Sequence, residues 1–283
     1  SIEKKNNSDV IEIHNRPAYI KSIVDETKAK LVLYFHNDPL TMNGSKSVSE
    51  RLFLINKVEK IIFNSEWTKK RFINKLNKFY HKLEKLEVIP QSTNKVKVNI
   101  KNKKKIICFI GKLNTAKGYD LFGKAIIKIL NKYPDWKSIV IGDEPREKLH
   151  FKHKNLHELG FQKHSKVLET FNKSSIAVAC SRWEEPFGRT SLEASSRGCA
   201  TIISNRGGLP ETVTNAIILR NLNVKNLFKA IEKLIINKNT RINLQKNSIK
   251  NFFLTNEFVT KKIDFYRNKI IKTKIIFSTK KKN

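Results

Sequence analysis

The residues best equipped for chemistry stand in SRWEEPFGRTSLEASSRGCATIISNRGGLPE, from Ser181 to Glu211. Two carboxylates, Glu185 and Glu193, flank a Pro-Phe-Gly turn there, in a chain with 57 basic and 25 acidic residues. Ile176–Cys180 reads as a strand, Ser181–Gly188 as a loop, and Thr190–Arg197 as a helix stopped by Gly198. The free N–H groups of such a helix start seat a phosphate, and Gly188 lets backbone approach a ligand closely. A carboxylate beside an anion seat is most useful as an acceptor for hydroxyls, those of a ribose or a sugar. Gly207 and Gly208 repeat the theme, leading through Leu209 and Pro210 into a further helix with Glu211 in its first turn. The plainer reading makes Glu185 a solvated loop residue and lets Glu193 or Glu211 favour a helix dipole.

A second loop, GKLNTAKG, runs from Gly111 to Gly118 between a strand and a helix. Lys112 and Lys117 are placed to neutralise a diphosphate leaving group. With so many lysines in the chain, that pair is weak evidence alone. The order of glycine and lysine is not that of a P-loop. His14 and His36 each follow a strand directly, at equivalent loop positions. No Ser-His-Asp arrangement and no metal-spaced His/Cys cluster is present in the sequence. The spacing of Glu185 and Glu193 in sequence does not fix the distance between their carboxyls.

The elements that must position these residues alternate short apolar runs with longer segments of helical period, the pattern of a parallel α/β sheet. In the first third the strands are Val10–Ile13, Leu31–Phe35, Lys60–Phe63 and Leu86–Ile89. A second set comprises Lys105–Ile110, Ser138–Ile141, Ile176–Cys180 and Ala200–Ser204, with a short Ala216–Leu219 after it. Asp120–Asn131 is a helix with Phe122, Ile126, Ile129 and Leu130 on one face, and Val167, Leu168 and Phe171 mark a shorter one. Leu227, Ile231, Leu234 and Ile235 form a later stripe, and Phe258 to Tyr266 belong to a last helix before the frayed tail KTKIIFSTKKKN. The polar stretch Gln91–Lys104 separates the two sets as a linker. In open parallel sheets ligands bind beyond the carboxyl ends of the strands. The loops at His14, His36, Asn64, Gly111 and Gly142 and the Ser181 stretch all fall there.

The formal charge is +32 over 283 residues. Lysine, asparagine and isoleucine are over-used everywhere, which speaks for a biased genome. No stripe of interleaved Arg and aromatic residues points to nucleic acid; an anionic membrane surface is the better use of the charge. The three cysteines, Cys108, Cys180 and Cys199, sit in apolar runs as small hydrophobes of a reducing compartment. No apolar run reaches the ~20 residues of a membrane span. The expectation is a cytoplasmic protein, peripheral on the inner face of the cytoplasmic membrane.

EPFGRTSLE, with seven residues between Glu185 and Glu193, resembles the E-x7-E motif of retaining GT-B glycosyltransferases, family 4 in particular. FIGKLNTAKG resembles that family's G-R-L-x3-K-G segment, RGGLPE its G-G-x-P-E segment, and IEIHNRP and LYFHND its acceptor-side loops. The resemblance implies two Rossmann-like doubly wound domains facing a cleft. These are a partial acceptor-side domain over 1–95, a linker over 96–104, a donor domain over 105–254, and a helix and basic tail over 255–283 that cross back. It also implies roles. Glu193 would accept from the ribose hydroxyls, while Glu185 and the backbone of Phe187 and Gly188 would hold the donor sugar. Gly111, Lys112, Lys117, Arg189 and Thr190 complete the donor site, with the two lysines on the diphosphate and His36 near the anomeric carbon. His14, Asn15, Arg16, Asn37 and Asp38 are the acceptor-side candidates. The implied reaction moves a sugar with retention from a nucleotide-diphosphate sugar to a glycan or lipid-linked acceptor in cell-envelope polysaccharide or lipopolysaccharide synthesis. It needs no metal or cofactor, the leaving phosphate taking the acceptor's proton. Lys112 departs from the family's arginine, keeping charge but losing the bidentate fork. The family's first domain opens with further βα units and a glycine-rich loop, so the sequence is expected to be either a fragment or a chain shortened at Ser1. The rival expectations are a GT-B epimerase or phosphorylase, a non-catalytic remnant that binds nucleotide sugar or a partner enzyme, and a basic nucleic-acid binder.

Overall fold

Parallel strands cannot be joined by a tight turn, so each strand here is followed by a segment that carries the chain back to the start of the next. The computed structural model describes residues 8–76 and 83–279. It divides into two units, Ser1–Gln91 with Asn256–Asn283, and Ser92–Thr255.

In the first unit β1 (Val10–His14), β2 (Lys30–Phe35), β3 (Lys60–Phe63) and β4 (Leu86–Val88) form a parallel sheet in that order. Helices α1 (Tyr19–Ile23), α2 (Val48–Lys57) and α3 (Glu66–Ile73) lie between the strands in sequence. Ser47 opens α2 with a capping box to Glu50, and Ser65 caps α3 through the Thr68 N–H. The alternation in β2 assigns its two faces. Leu31, Leu33 and Phe35 enter one core with Leu54, Ile55 and Phe72, while Val32 and Tyr34 face the other way.

In the second unit the chain runs β5 (Lys104–Ile110), α4 (Tyr119–Lys132), β6 (Lys137–Ile141), β7 (Leu156–Glu158), α5 (His164–Lys173) and β8 (Ser174–Ala179). It continues through α6 (Arg189–Ser196), β9 (Ala200–Ser204), β10 (Ala216–Leu219), α7 (Val224–Ile236) and α8 (Lys238–Lys250). Six parallel strands pair in the order β10-β9-β8-β5-β6-β7. Counted from β5, that is the doubly wound order in which the chain reverses direction between its first and fourth strands. The buried faces of α4 and α7 pack on Ile107, Phe109, Ile176 and Ile202 to make the main core. The chain then returns to the first unit as α9 (Asn256–Thr279), whose Val259, Ile263, Tyr266 and Ile270 cover Val32, Tyr34, Ile62 and Ile89.

Three expectations need correction, and one strand went unpredicted. The stretch 96–104 is not a free linker: it belongs to the second unit, where Thr93 bridges Thr255 and the Lys103 Nζ donates to the Phe171 carbonyl at 2.7 Å. The Lys103 side chain there finds a backbone acceptor that composition does not reveal. The edge strand β7 is three residues with one apolar side chain, too short to leave a pattern. The helix after Gly208 is a single 3-10 turn, Leu209–Thr212. The tail stays helical to Thr279, and 280–283 lie outside the described residues.

Candidate functional site

The reversal of strand order in the second unit puts the loops after β5 and β8 side by side, and both sequence-predicted lysine and glutamate loops are these. The β5 loop, Gly111–Gly118, braces itself: the Asn114 Oδ1 accepts from the Lys117 N–H at 2.9 Å, and the Gly118 N–H donates to Thr115 O. The β8 loop is then tied to it. The Ala116 carbonyl accepts from the N–H groups of Arg182 and Trp183, and the Arg182 guanidinium grips Asp120 through two bonds of 2.5 and 2.6 Å. That fork holds the Asp120 carboxyl below the usual carboxylate range despite its partial burial. Across this junction Lys117 Nζ meets Glu185 Oε1 at 2.5 Å and stands 4.9 Å from the centre of the Trp183 ring. Glu185 is largely buried, at 12% side-chain exposure, so a cation beside it is required. Lys112 is exposed and makes no ion pair among the described residues.

The β9 loop closes the other side. Gly207 has φ +57, and a Cβ there would lie 2.2 Å from the Glu185 carbonyl oxygen. The Gly208 N–H donates to that same oxygen at 2.6 Å, and Glu184 accepts from the Gly207 N–H and from Arg206. Only glycine permits this approach, which fixes the backbone of Glu185. Glu211, by contrast, stays in its own 3-10 turn with an exposed side chain.

Helix α6 begins at Gly188, with φ +120 and no side-chain cap, so its first-turn N–H groups point outward from the helix start. Phe187 turns its ring into a core with Leu192, Phe252 and Leu254, which leaves only its backbone for a ligand. One turn in, Glu193 is 4% exposed. Its Oε1 accepts from Arg189 Nη2 and meets His164 Nε2, both at 3.0 Å. Its Oε2 makes no hydrogen bond among the described residues. Thr190 is half-buried beside Ser191 and Ala194.

In the first unit β1 and β2 are parallel neighbours, so His14 and His36 emerge together. The His14 Nδ1 lies 2.9 Å from the His36 Nε2, with the rings stacked 5.3 Å apart and the Tyr34 ring 4.3 Å beyond His14. Burial, and secondarily the charge of His14, pushes the His36 pKa down. Tyr34 donates to Glu12 at 3.0 Å, and the fork of Arg267 on Glu12 holds that carboxyl below its usual range. The acceptor-side candidates separate. Asn15, at φ +55, spends its Oδ1 on the N–H groups of His36 and Asn37. Asp38 caps a 3-10 turn and is held by the Arg71 fork at 2.8–3.1 Å. These bonds brace the loops after β1 and β2. Arg16 and the Asn37 side chain remain exposed.

Residues 90–251, more than half of the chain, match the family described as glycosyl transferases group 1. The chain belongs to that family. The matched stretch contains both the Lys117–Glu185 and the Glu193 clusters. Among curated relatives of this glycosyltransferase, spore coat protein SA of Bacillus subtilis is 26% identical over 278 residues, covering 87% of this chain and 74% of that protein. Lipopolysaccharide core biosynthesis mannosyltransferase LpsB of Rhizobium meliloti is 32% identical over 123 residues, 40% of this chain and 34% of that one. Among solved structures, a glycosyltransferase from Rickettsia africae superposes with a TM-score of 0.76 at 20% identity, covering 96% of this chain and 79% of that one. Alr3699/HepE of Anabaena, solved in complex with UDP-glucose, does so with 0.72 at 16% identity, over 92% and 79%. The fold is that of the GT-B glycosyltransferases.

Sequence reading missed four partner residues in this glycosyltransferase. His164 reaches Glu193 from a helix 29 residues earlier, and nothing in the spacing announces it. Arg182 and Asp120 clamp the two loops from positions 62 apart. Trp183, half exposed beside Lys117, was visible in the quoted stretch as a bulky ring in a polar loop.

Proposed function

We propose that this glycosyltransferase moves a hexose from a nucleotide-diphosphate sugar to a glycan or lipid-linked acceptor with retention of configuration, in the cytoplasm and in the service of cell-envelope polysaccharide or lipopolysaccharide synthesis. The observation that carries this reading is the juxtaposition, across one strand-order reversal, of an uncapped helix start, the Lys117–Glu185 pair and a buried Glu193 with one oxygen left over. An anion fits the helix start and Lys117, and hydroxyls fit the carboxylates. On this reading the α6 N–H groups and Lys117 receive the diphosphate, joined by Lys112, which makes no ion pair among the described residues. Glu193 takes the ribose; Glu185 and the backbone of Phe187 and Gly188 take the sugar. Charge developing on the leaving phosphate is then met by fixed donors, and that phosphate accepts the acceptor's proton. No metal has a step in this scheme.

That the solved relative Alr3699/HepE holds UDP-glucose supports a nucleotide-sugar donor. The test is to measure nucleotide binding and sugar-nucleotide turnover separately over a panel of donors, with and without EDTA. Turnover that survives the chelator supports the proposal. Binding without turnover supports the remnant, and neither sinks both.

A further inference from the structure

The C-terminal helix α9 spends one face on the first unit's sheet, through Val259, Ile263, Tyr266 and Ile270. A second stripe runs beside it. Phe258, Lys261, Phe265, Asn268, Lys269 and Lys272 recur at helical spacing, within one sector of about 100° over about 21 Å of helix. All six are exposed: Phe258 is at 44%, Phe265 at 62%, and the Lys261 side chain at 76%. Acidic side chains of this helix, Glu257 and Asp264, fall outside that sector. Glu257 is paired to Lys261 at 2.7 Å, and Asp264 faces Arg267, which is itself forked onto Glu12.

We infer that this stripe is a docking surface for an anionic lipid bilayer. Two phenylalanines carry no polar atom to satisfy, so they gain by entering the acyl boundary. Three lysines around them keep their ammonium groups at headgroup level while their stems cover apolar surface. A nucleic-acid partner would favour arginine forks and stacking grooves. This stripe holds only lysine, a compact point charge, and its neighbour Arg267 is already committed to carboxylates. No helix among the described residues is long and apolar enough to cross a membrane, so the surface would lie on the bilayer. The inference does not rest on the donor site, which is in the other unit, and its failure would leave that reading intact.

The experiment uses the full chain with vesicles of neutral phosphatidylcholine or of phosphatidylcholine with one-third phosphatidylglycerol. Because the chain is basic throughout, binding to anionic vesicles is expected but is not decisive alone. The triple variant K261Q/K269Q/K272Q should weaken it about 100-fold, at about fivefold per lysine. The control triple K229Q/K233Q/K238Q removes the same charge from exposed positions of α7 and α8 and should change it little. F258S/F265S should weaken binding even at high salt, and F265W, read against the wild type, should show a blue shift on anionic vesicles only. All variants should keep wild-type affinity for nucleoside diphosphate. Equal loss in both lysine triples, wild-type binding by F258S/F265S, or no shift in F265W would each overturn the inference. So would loss of duplex DNA binding in the α9 triple with vesicle binding unchanged.

Discussion

Glu193→Ala is the most direct test of the donor site. The carboxylate is 4% exposed, and its Oε1 is held by Arg189 and His164 while Oε2 is unengaged. A ribose hydroxyl donating to Oε2 would form a charge-assisted hydrogen bond of about 1.5–3 kcal/mol. Losing one such bond weakens nucleoside diphosphate binding about 10- to 150-fold. Damage to the fold is read from the melting temperature, because the buried Arg197 also loses the Glu193 charge near it. The Arg189 and His164 side chains are 56% and 59% exposed, so water replaces the lost acceptor. Pairs of that kind are worth about 1 kcal/mol or less, a melting shift of about 2–4 °C. Titration calorimetry of wild type and variant with the same nucleoside diphosphate gives the first number. A 2′-deoxy ligand gives the second: it should bind wild type more weakly than the ribo form, and the variant should not distinguish the two. A well-folded variant that binds within twofold of wild type, or that still discriminates against the deoxy ligand by the wild-type factor, would refute the argument.

Lys117→Ala should lower affinity for a nucleoside diphosphate about 10-fold or more while leaving the bare nucleoside unaffected, since the ammonium is assigned to the phosphates; calorimetry with both ligands checks it. Gly207→Ala should cost about 1–3 kcal/mol in urea unfolding, because a left-handed φ coincides with a Cβ 2.2 Å from Glu185 O. Gly160→Ala, at φ +64 but with open space around it, should cost about 1 kcal/mol. The depressed pKa of His36 has a definite sign. The unfolded imidazole, near its ordinary value of about 6.5, binds protons that the folded one refuses. His36 therefore contributes full stability above that pH and loses it as the pH falls toward the lower folded value. Urea midpoints from pH 7.5 to 5.5 should decline more steeply in wild type than in His36→Asn.

The strands were legible because buried parallel strands read as short apolar runs with helical segments between them. Lys60–Phe63, Ala200–Ser204 and Ala216–Leu219 fall where the pattern puts them, and the others shift by one or two residues at the ends. Where the pattern failed, side chains gave no periodic signal: β7 has a single apolar residue, and in the polar 96–104 stretch the Lys103 side chain is held by the distant Phe171 carbonyl.

By itself the sequence determined which loops would carry the site. Glycines at forced turns and charges after apolar runs are local facts, and parallel topology sends all such loops to one sheet edge. It also set Glu193 one helical turn from Arg189, since that spacing is a property of the helix. Only the tertiary structure decided which charges meet. Lys117 and Glu185 are 68 residues apart, and become partners because the strand order reverses between β5 and β8. Likewise only the fold showed that Asp38 is held by Arg71 and the Asn15 Oδ1 by backbone N–H groups, because a side chain's partners depend on what packs against it.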